Sequence, residues 1–358
     1  MPNSLELQPI GIGSLLFDNA DDTMNLVKRD FSKIPFLPQL TKINKKEDMK
    51  FQFLEGMPSF YANDFENFVL DIHDSRFLCD LKTFNEDYEQ IVSNPCSEFL
   101  DKYKISENFC LALPPFLKYV KDTRPEYAKA QVVGAFTLSD DLKDKDGNYL
   151  IFNPQAVEII TKLLSLKALW LIRQIKNASP DTKAIIFIDE PQIAQLGKPA
   201  YAAISAQTAL SLIKRLTSFI KSNGALSGLH CCGKCDLGIL LNSGADIINF
   251  DAFSFDWDFS KYKDEINKFL SSGGKIAWGL VPTSSGKIIK TLKTEDLVQK
   301  FKNCVNELTK NAIDEKLVIR NSLITSSCGA GSLGANEAQT AMDMLKDLSD
   351  RLKEEYIF

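Results

Sequence analysis

The 358-residue chain holds only two histidines, and one of them heads a cysteine cluster, Leu229-His230-Cys231-Cys232-Gly233-Lys234-Cys235. In extended chain, residues i and i+2 point to the same side. His230 and Cys232 then face a common point, and Cys231 faces away. Imidazole nitrogen and thiolate sulfur are the usual ligands of zinc. A further sulfur stands in Ser326-Ser327-Cys328-Gly329-Ala330-Gly331, and Asp251 offers a carboxylate oxygen. Three or four ligands from separate stretches, one of them exchangeable, describe a catalytic zinc site, whereas four fixed ligands close a structural one. Two other readings stay open. Buried free cysteines act as small hydrophobic side chains. His230, Cys231, Cys232 and Cys235 also lie close enough for a small structural knuckle.

Asp189-Glu190-Pro191 is the second chemical feature. Two adjacent carboxylates can bind an ammonium group or serve as acid and base. Helix N-termini also favour acidic residues. Familiar phosphate and calcium motifs fail. Leu16 stands where a dinucleotide fingerprint beginning at Gly11 needs glycine. Asn153 stands where a calcium loop with Gly147 as its turn glycine, as Asp144-Lys145-Asp146-Gly147 would suggest, needs its closing glutamate.

These residues follow apolar runs that read as strands: 7–12, 51–54, 131–133, 184–188, 225–229, 246–250, 275–280 and 317–325. Helical periodicity separates them. Eight alternating units imply an α/β fold with a parallel sheet, closed as a (β/α)8 barrel, with a helical insertion from about 61 to 117 after the second strand. One catalytic domain, 1–358, accounts for the whole chain. In such a barrel the active site lies at the C-terminal strand ends. Those ends carry Ser14, Glu55, Asp189, Glu190, His230, Cys232, Asp251, Thr283 and Cys328, with Trp278 nearby to shape the mouth.

Composition narrows the partners. Lys plus Arg number 42 and Asp plus Glu 47, a net charge of −5 with no long basic run, which argues against nucleic acid. The longest apolar stretch, 156–175, is broken by Glu158, Lys162, Lys167 and Arg173, so no membrane span is expected. The first residues, Met1-Pro2-Asn3-Ser4, lack the marks of an export signal. A cytoplasmic protein with reduced thiols is the expectation.

Together these motifs resemble the catalytic barrel of cobalamin-independent methionine synthase and its relatives in the uroporphyrinogen decarboxylase-like superfamily. His230-x-Cys232, Asp251 and Cys328-Gly329 match the family's zinc ligands in order, although the family usually has glutamate where Asp251 stands. The resemblance implies zinc as cofactor. Ile188-Asp189-Glu190-Pro191 looks like the family's Asp-Glu-Pro turn, which implies that Asp189 holds a substrate amino group, with Glu190 beside it. Ile12-Gly13-Ser14 looks like the Ile-Gly-Ser turn, which implies substrate contacts from Ile12 and Ser14. Glu55 corresponds more loosely to a second acidic contact. The chain is similar to short members that lack the folate-binding half. It is therefore expected to move a methyl group to a thiol, homocysteine above all, with methylcobalamin on a corrinoid carrier protein as donor. Alternatives are a methylcobalamin:coenzyme M methyltransferase, a decarboxylase-like enzyme, and a non-catalytic partner of a corrinoid protein.

Overall fold

A computed structural model describes residues 5–357 other than Leu16 and Asp18, and only the backbone of 62–64. Met1–Ser4, on which the export-signal reading rests, lie outside it. The centre is a curled, six-stranded parallel sheet in sequence order. Its strands are β1 (Tyr127–Val133), β2 (Lys183–Asp189), β3 (Leu226–Cys231), β4 (Ile247–Asp251), β5 (Lys275–Val281) and β6 (Ser322–Ser326). Twelve α-helices surround it among the described residues. Before β1 come α1 (Ala20–Asp30), α2 (Phe77–Ser93) and α3 (Leu113–Thr123). Between β1 and β2 lie α4 (Ala135–Asp141) and α5 (Pro154–Ala178). Then follow α6 (Ala206–Ser222), α7 (Leu237–Leu241), α8 (Lys263–Ser271), α9 (Gly286–Thr291), α10 (Thr294–Lys310), α11 (Glu315–Arg320) and α12 (Ala335–Tyr356). None of the described helices is long and apolar enough to cross a membrane.

Two features of the expected layout are corrected. Residues 51–54 form turns, not a strand. The extended segment between α1 and the insertion is 35–39, where Leu37 N donates to Lys129 O at 2.8 Å and Gln39 N to Gly13 O at 3.1 Å. Pro35 and Pro38 flank these donors. A proline costs a ladder only where its N–H is needed, and neither falls on a donating position. In the last unit, 317–320 belong to α11, because Asp314 Oδ1 accepts from Leu317 N at 2.8 Å and starts a helix. Only 322–326 are strand. The insertion is mostly helical, as expected, with α2, α3 and three 3-10 turns.

Segment 7–15 runs beside β6 at the other edge. Leu7 N donates to Ser322 O at 2.7 Å and Ile10 N to Ile324 O at 2.9 Å, while Leu15 N donates to Gln39 O at 3.0 Å. The apolar residues divide into two clusters. The larger one fills the space between sheet and helices. The smaller gathers Tyr127, Ile185, Phe187, Ile247, Ala277 and Leu323 from the sheet's other face with Leu5, Ile10 and Ile34. Period-2 alternation produces this split. Trp278 accordingly points outward, not to the mouth. It is fully buried, donates to Ser322 Oγ at 2.9 Å and packs edge-on to Phe250 and Phe301.

Candidate metal centre

His230 lies near the end of β3, and the alternation places it on the inner face with Asp189, its register partner on β2, and Asn249, its partner on β4. Cys231 takes the outer face, buried, with its thiol toward Gly233 O. Cys232 follows on the inner side. Cys328 arrives from the loop after β6. One ring nitrogen of His230 and the Sγ atoms of Cys232 and Cys328 lie within 4.8 Å of one another, the one such trio of His, Cys, Asp or Glu among the described residues. A triangle with that edge has its centre about 2.8 Å from each corner, and zinc sits ~2.3 Å from sulfur and ~2.0–2.1 Å from imidazole nitrogen. Contraction by about 0.5 Å would seat the ion, so the donor set and its spacing fit. The four-residue knuckle does not form, because Cys231 faces the helices.

Asp251 does not join the trio. Its Oδ1 accepts from Phe253 N at 2.9 Å and Ser254 N at 2.7 Å, which holds the turn after β4. The carboxylate expected as a fourth ligand is a turn cap. The side chain that does meet His230 is Asn249, whose Oδ1 contacts Nδ1 of the ring. Asn249 was not singled out in the sequence. Its signal was a polar residue inside the apolar run Ile247-Ile248-Asn249-Phe250, at the spacing that faces inward.

Hydrogen bonds link the three groups. Burial works to lower the His230 pKa, but the hydrogen bond and charge of Cys328, the charge of Asp189 and Asn249 together raise it to about 9. Cys328 donates toward Cys232, which lowers the Cys232 pKa and raises that of Cys328.

Asp189 and Glu190 separate, as neighbours in a strand must. Asp189 is 8% exposed, its Oδ1 is buried without a hydrogen-bond partner, and burial raises its pKa against the pull of Lys129 and His230. Glu190 turns the other way. Its oxygens accept from Phe136 N at 3.0 Å, Thr137 N at 2.8 Å and Thr137 Oγ1 at 2.6 Å, so it caps α4 and is not free for catalysis. Burial pushes its pKa up to about 7 against those donors. A Cβ on Gly134 would sit 1.9 Å from Glu190 Cδ, so glycine is what lets the carboxylate reach the helix. Glu190→Ala is expected to cost about 2–4 kcal/mol in urea unfolding, by leaving buried N–H groups unpaired, with bound zinc unchanged. Loss of zinc in that variant would put Glu190 in the centre after all.

The other expected contacts divide. Ile12 offers its carbonyl to Lys129 Nζ, so that oxygen is already engaged. Lys129 is fully buried, also bonds Gln131 Oε1 at 2.8 Å, lies 4.8 Å from the Phe187 ring, and is lowered by burial to a pKa of about 8. Ser14 lies against the loop of Cys328: its carbonyl accepts from Ala330 N at 2.7 Å, and its Oγ from Gly331 N at 3.3 Å. A Cβ on Gly329 would stand 2.0 Å from Ser14 Oγ. Glu55 is instead tied to the insertion, where it accepts from Ser106 N at 2.7 Å.

No family model matches the chain, and no curated protein does. Among solved structures, one from Coccidioides immitis named "putative fructose-1,6-biphosphate aldolase" aligns over 68% of this chain and 83% of its own, at 10% identity and a TM-score of 0.26. A likeness that slight carries no argument about fold or activity.

Proposed function

We propose that the protein is a zinc-dependent methyltransferase that moves a methyl group from a corrinoid donor to a thiol, with homocysteine as the acceptor. The observation that carries this reading is the convergence of His230, Cys232 and Cys328 within 4.8 Å. In the same reading, segments 7–15 and 35–39 complete an eight-membered (β/α) ring. Their bonds to β6, to each other and to β1 support it. So does the inner cluster, which draws on every side of that ring.

Three protein ligands leave one position for an incoming sulfur. Zinc, when bound there, holds the acceptor sulfur as thiolate at neutral pH. The chain's own groups do the rest. His230 contributes no charge as neutral imidazole, while Cys232 and Cys328 contribute two negative charges and keep the acceptor sulfur electron-rich. Asp189, with one buried oxygen unpaired, provides the partner for the acceptor's ammonium and sets its orientation. The acceptor sulfur then forms the S–CH3 bond as the donor's carbon–cobalt bond breaks, and that bond's electron pair stays on the corrinoid.

The unpaired Asp189 favours homocysteine over coenzyme M, whose sulfonate it would repel. It also weighs against a decarboxylase acting on a many-carboxylate tetrapyrrole. The test is direct: zinc-loaded protein, methylcobalamin and homocysteine should give methionine. Methylation of coenzyme M alone would change the acceptor. Methylation of neither would refute the reading.

A further inference from the structure

We propose that Asn249 is a positioning residue that fixes His230 as its Nδ1–H tautomer and so presents Nε2 to the metal. This rests on reading the trio as a metal centre. Three hydrogen bonds decide it. A side-chain amide has two N–H donors on nitrogen and none on oxygen. One end of the Asn249 amide lies 2.7 Å from Ala277 O, an acceptor that cannot donate, so that end is nitrogen. The same nitrogen donates to Thr325 Oγ1 at 2.8 Å, and the Thr325 hydroxyl proton goes to Ser326 O at 2.9 Å. The end facing His230 Nδ1 is therefore oxygen, which has no proton to give. Nδ1 must be the donor. Neutral imidazole carries one N–H, so the lone pair belongs to Nε2. Turning the amide over would aim oxygen at the Ala277 carbonyl and lose both anchoring bonds.

The arrangement also joins the two halves of the centre. Thr325 lies on β6, the strand that delivers Cys328, and Asn249 lies on β4 beside His230. One buried amide thus ties the ring orientation of one ligand to the strand of another. It does so as a neutral acceptor, which leaves the charge of the centre to the sulfurs. Partners of this kind typically change metal affinity by ~10–100-fold when removed.

The test uses full-length protein labelled with 15N-histidine and carrying His73→Gln, so that one imidazole of this chain remains. In zinc-loaded protein, long-range 1H–15N spectra are expected to show a protonated Nδ1 and an unprotonated Nε2. Asn249→Leu is expected to weaken zinc binding ~10–100-fold in a chelator competition. Asn249→Asp, which restores an acceptor at Nδ1, is expected to recover most of that loss. A protonated Nε2 in the unsubstituted centre would overturn the proposal, as would unchanged spectrum and affinity in Asn249→Leu. Should Asn249→Leu fail to fold, the spectrum of the parent and the affinity of Asn249→Asp decide. Failure to bind zinc at all would refute the metal centre instead. The tautomer would then be read in metal-free protein at alkaline pH, where Nδ1–H is still expected.

Discussion

Cys328→Ala and Cys232→Ala are each expected to reduce bound zinc from one ion per chain to a small fraction, a loss of more than ~100-fold in affinity. Removing either sulfur leaves two protein ligands where three converge. The comparison is informative because Cys231 is a neighbour of Cys232 that faces the helices. Cys231→Ala should keep its zinc. Stoichiometric zinc in both the Cys232 and Cys328 variants, measured after gel filtration, would remove the mechanism.

Binding should also depend steeply on pH. At pH 7 the metal-free centre holds a proton on His230, whose pKa is raised to about 9, and one on Cys328, raised by its bond to Cys232. Zinc takes neutral imidazole and thiolate, so both protons leave on binding. The affinity therefore climbs with pH, by at least ~100-fold per unit near neutrality, and more gently once His230 has deprotonated. A pH-independent affinity between 6 and 8 would contradict the protonation of His230 and Cys328.

The second large effect is expected at Asp189. Asp189→Asn should lower kcat/KM for homocysteine by ~10²–10³, the usual consequence of removing one partner of a buried charge pair. A thiol acid of the same length without the amine should lose little. Stability should hold or rise, since the substitution relieves a buried carboxylate oxygen that has no partner in the free protein. Equal losses for both thiols would show that Asp189 shapes the site without holding the ammonium.

Much of this was legible in the chain. Continuous apolar runs ending in polar residues located β1 to β5 within a few residues, because strands buried on both faces leave that signature. The convergence of His230, Cys232 and Cys328 followed from placing each at a strand end. What misled was local. Pro35 and Pro38 disguised an extended segment, since their harmlessness depends on which N–H groups the neighbours require. Residues 317–320 are as apolar as a strand, and only the Asp314 cap marks them as helix. Asp189 and Glu190 were read as a pair, although alternation along β2 sends adjacent carboxylates to opposite faces. Asp251 and Asn249 share a face, and composition alone could not say which would meet His230.

One consequence follows from the edges of the sheet. Each strand from β1 to β5 pairs with its successor, so these contacts can form as the nascent chain emerges. Segment 7–15 is different: apart from Leu5, Gln39 and Lys129, its hydrogen-bonding neighbours are on β6, in the loop after it and on α12, made some three hundred residues later. Long-separated contacts of this kind slow folding, because loop closure precedes their reward. That side of segment 7–15 must stay unpartnered until β6 has been made. Cys328 follows β6, so in the proposed reading the third zinc ligand is made only after that strand. In that reading a ribosome stalled before β6 would display a partly formed sheet with His230 and Cys232 but without the third ligand, and tight zinc binding would follow β6.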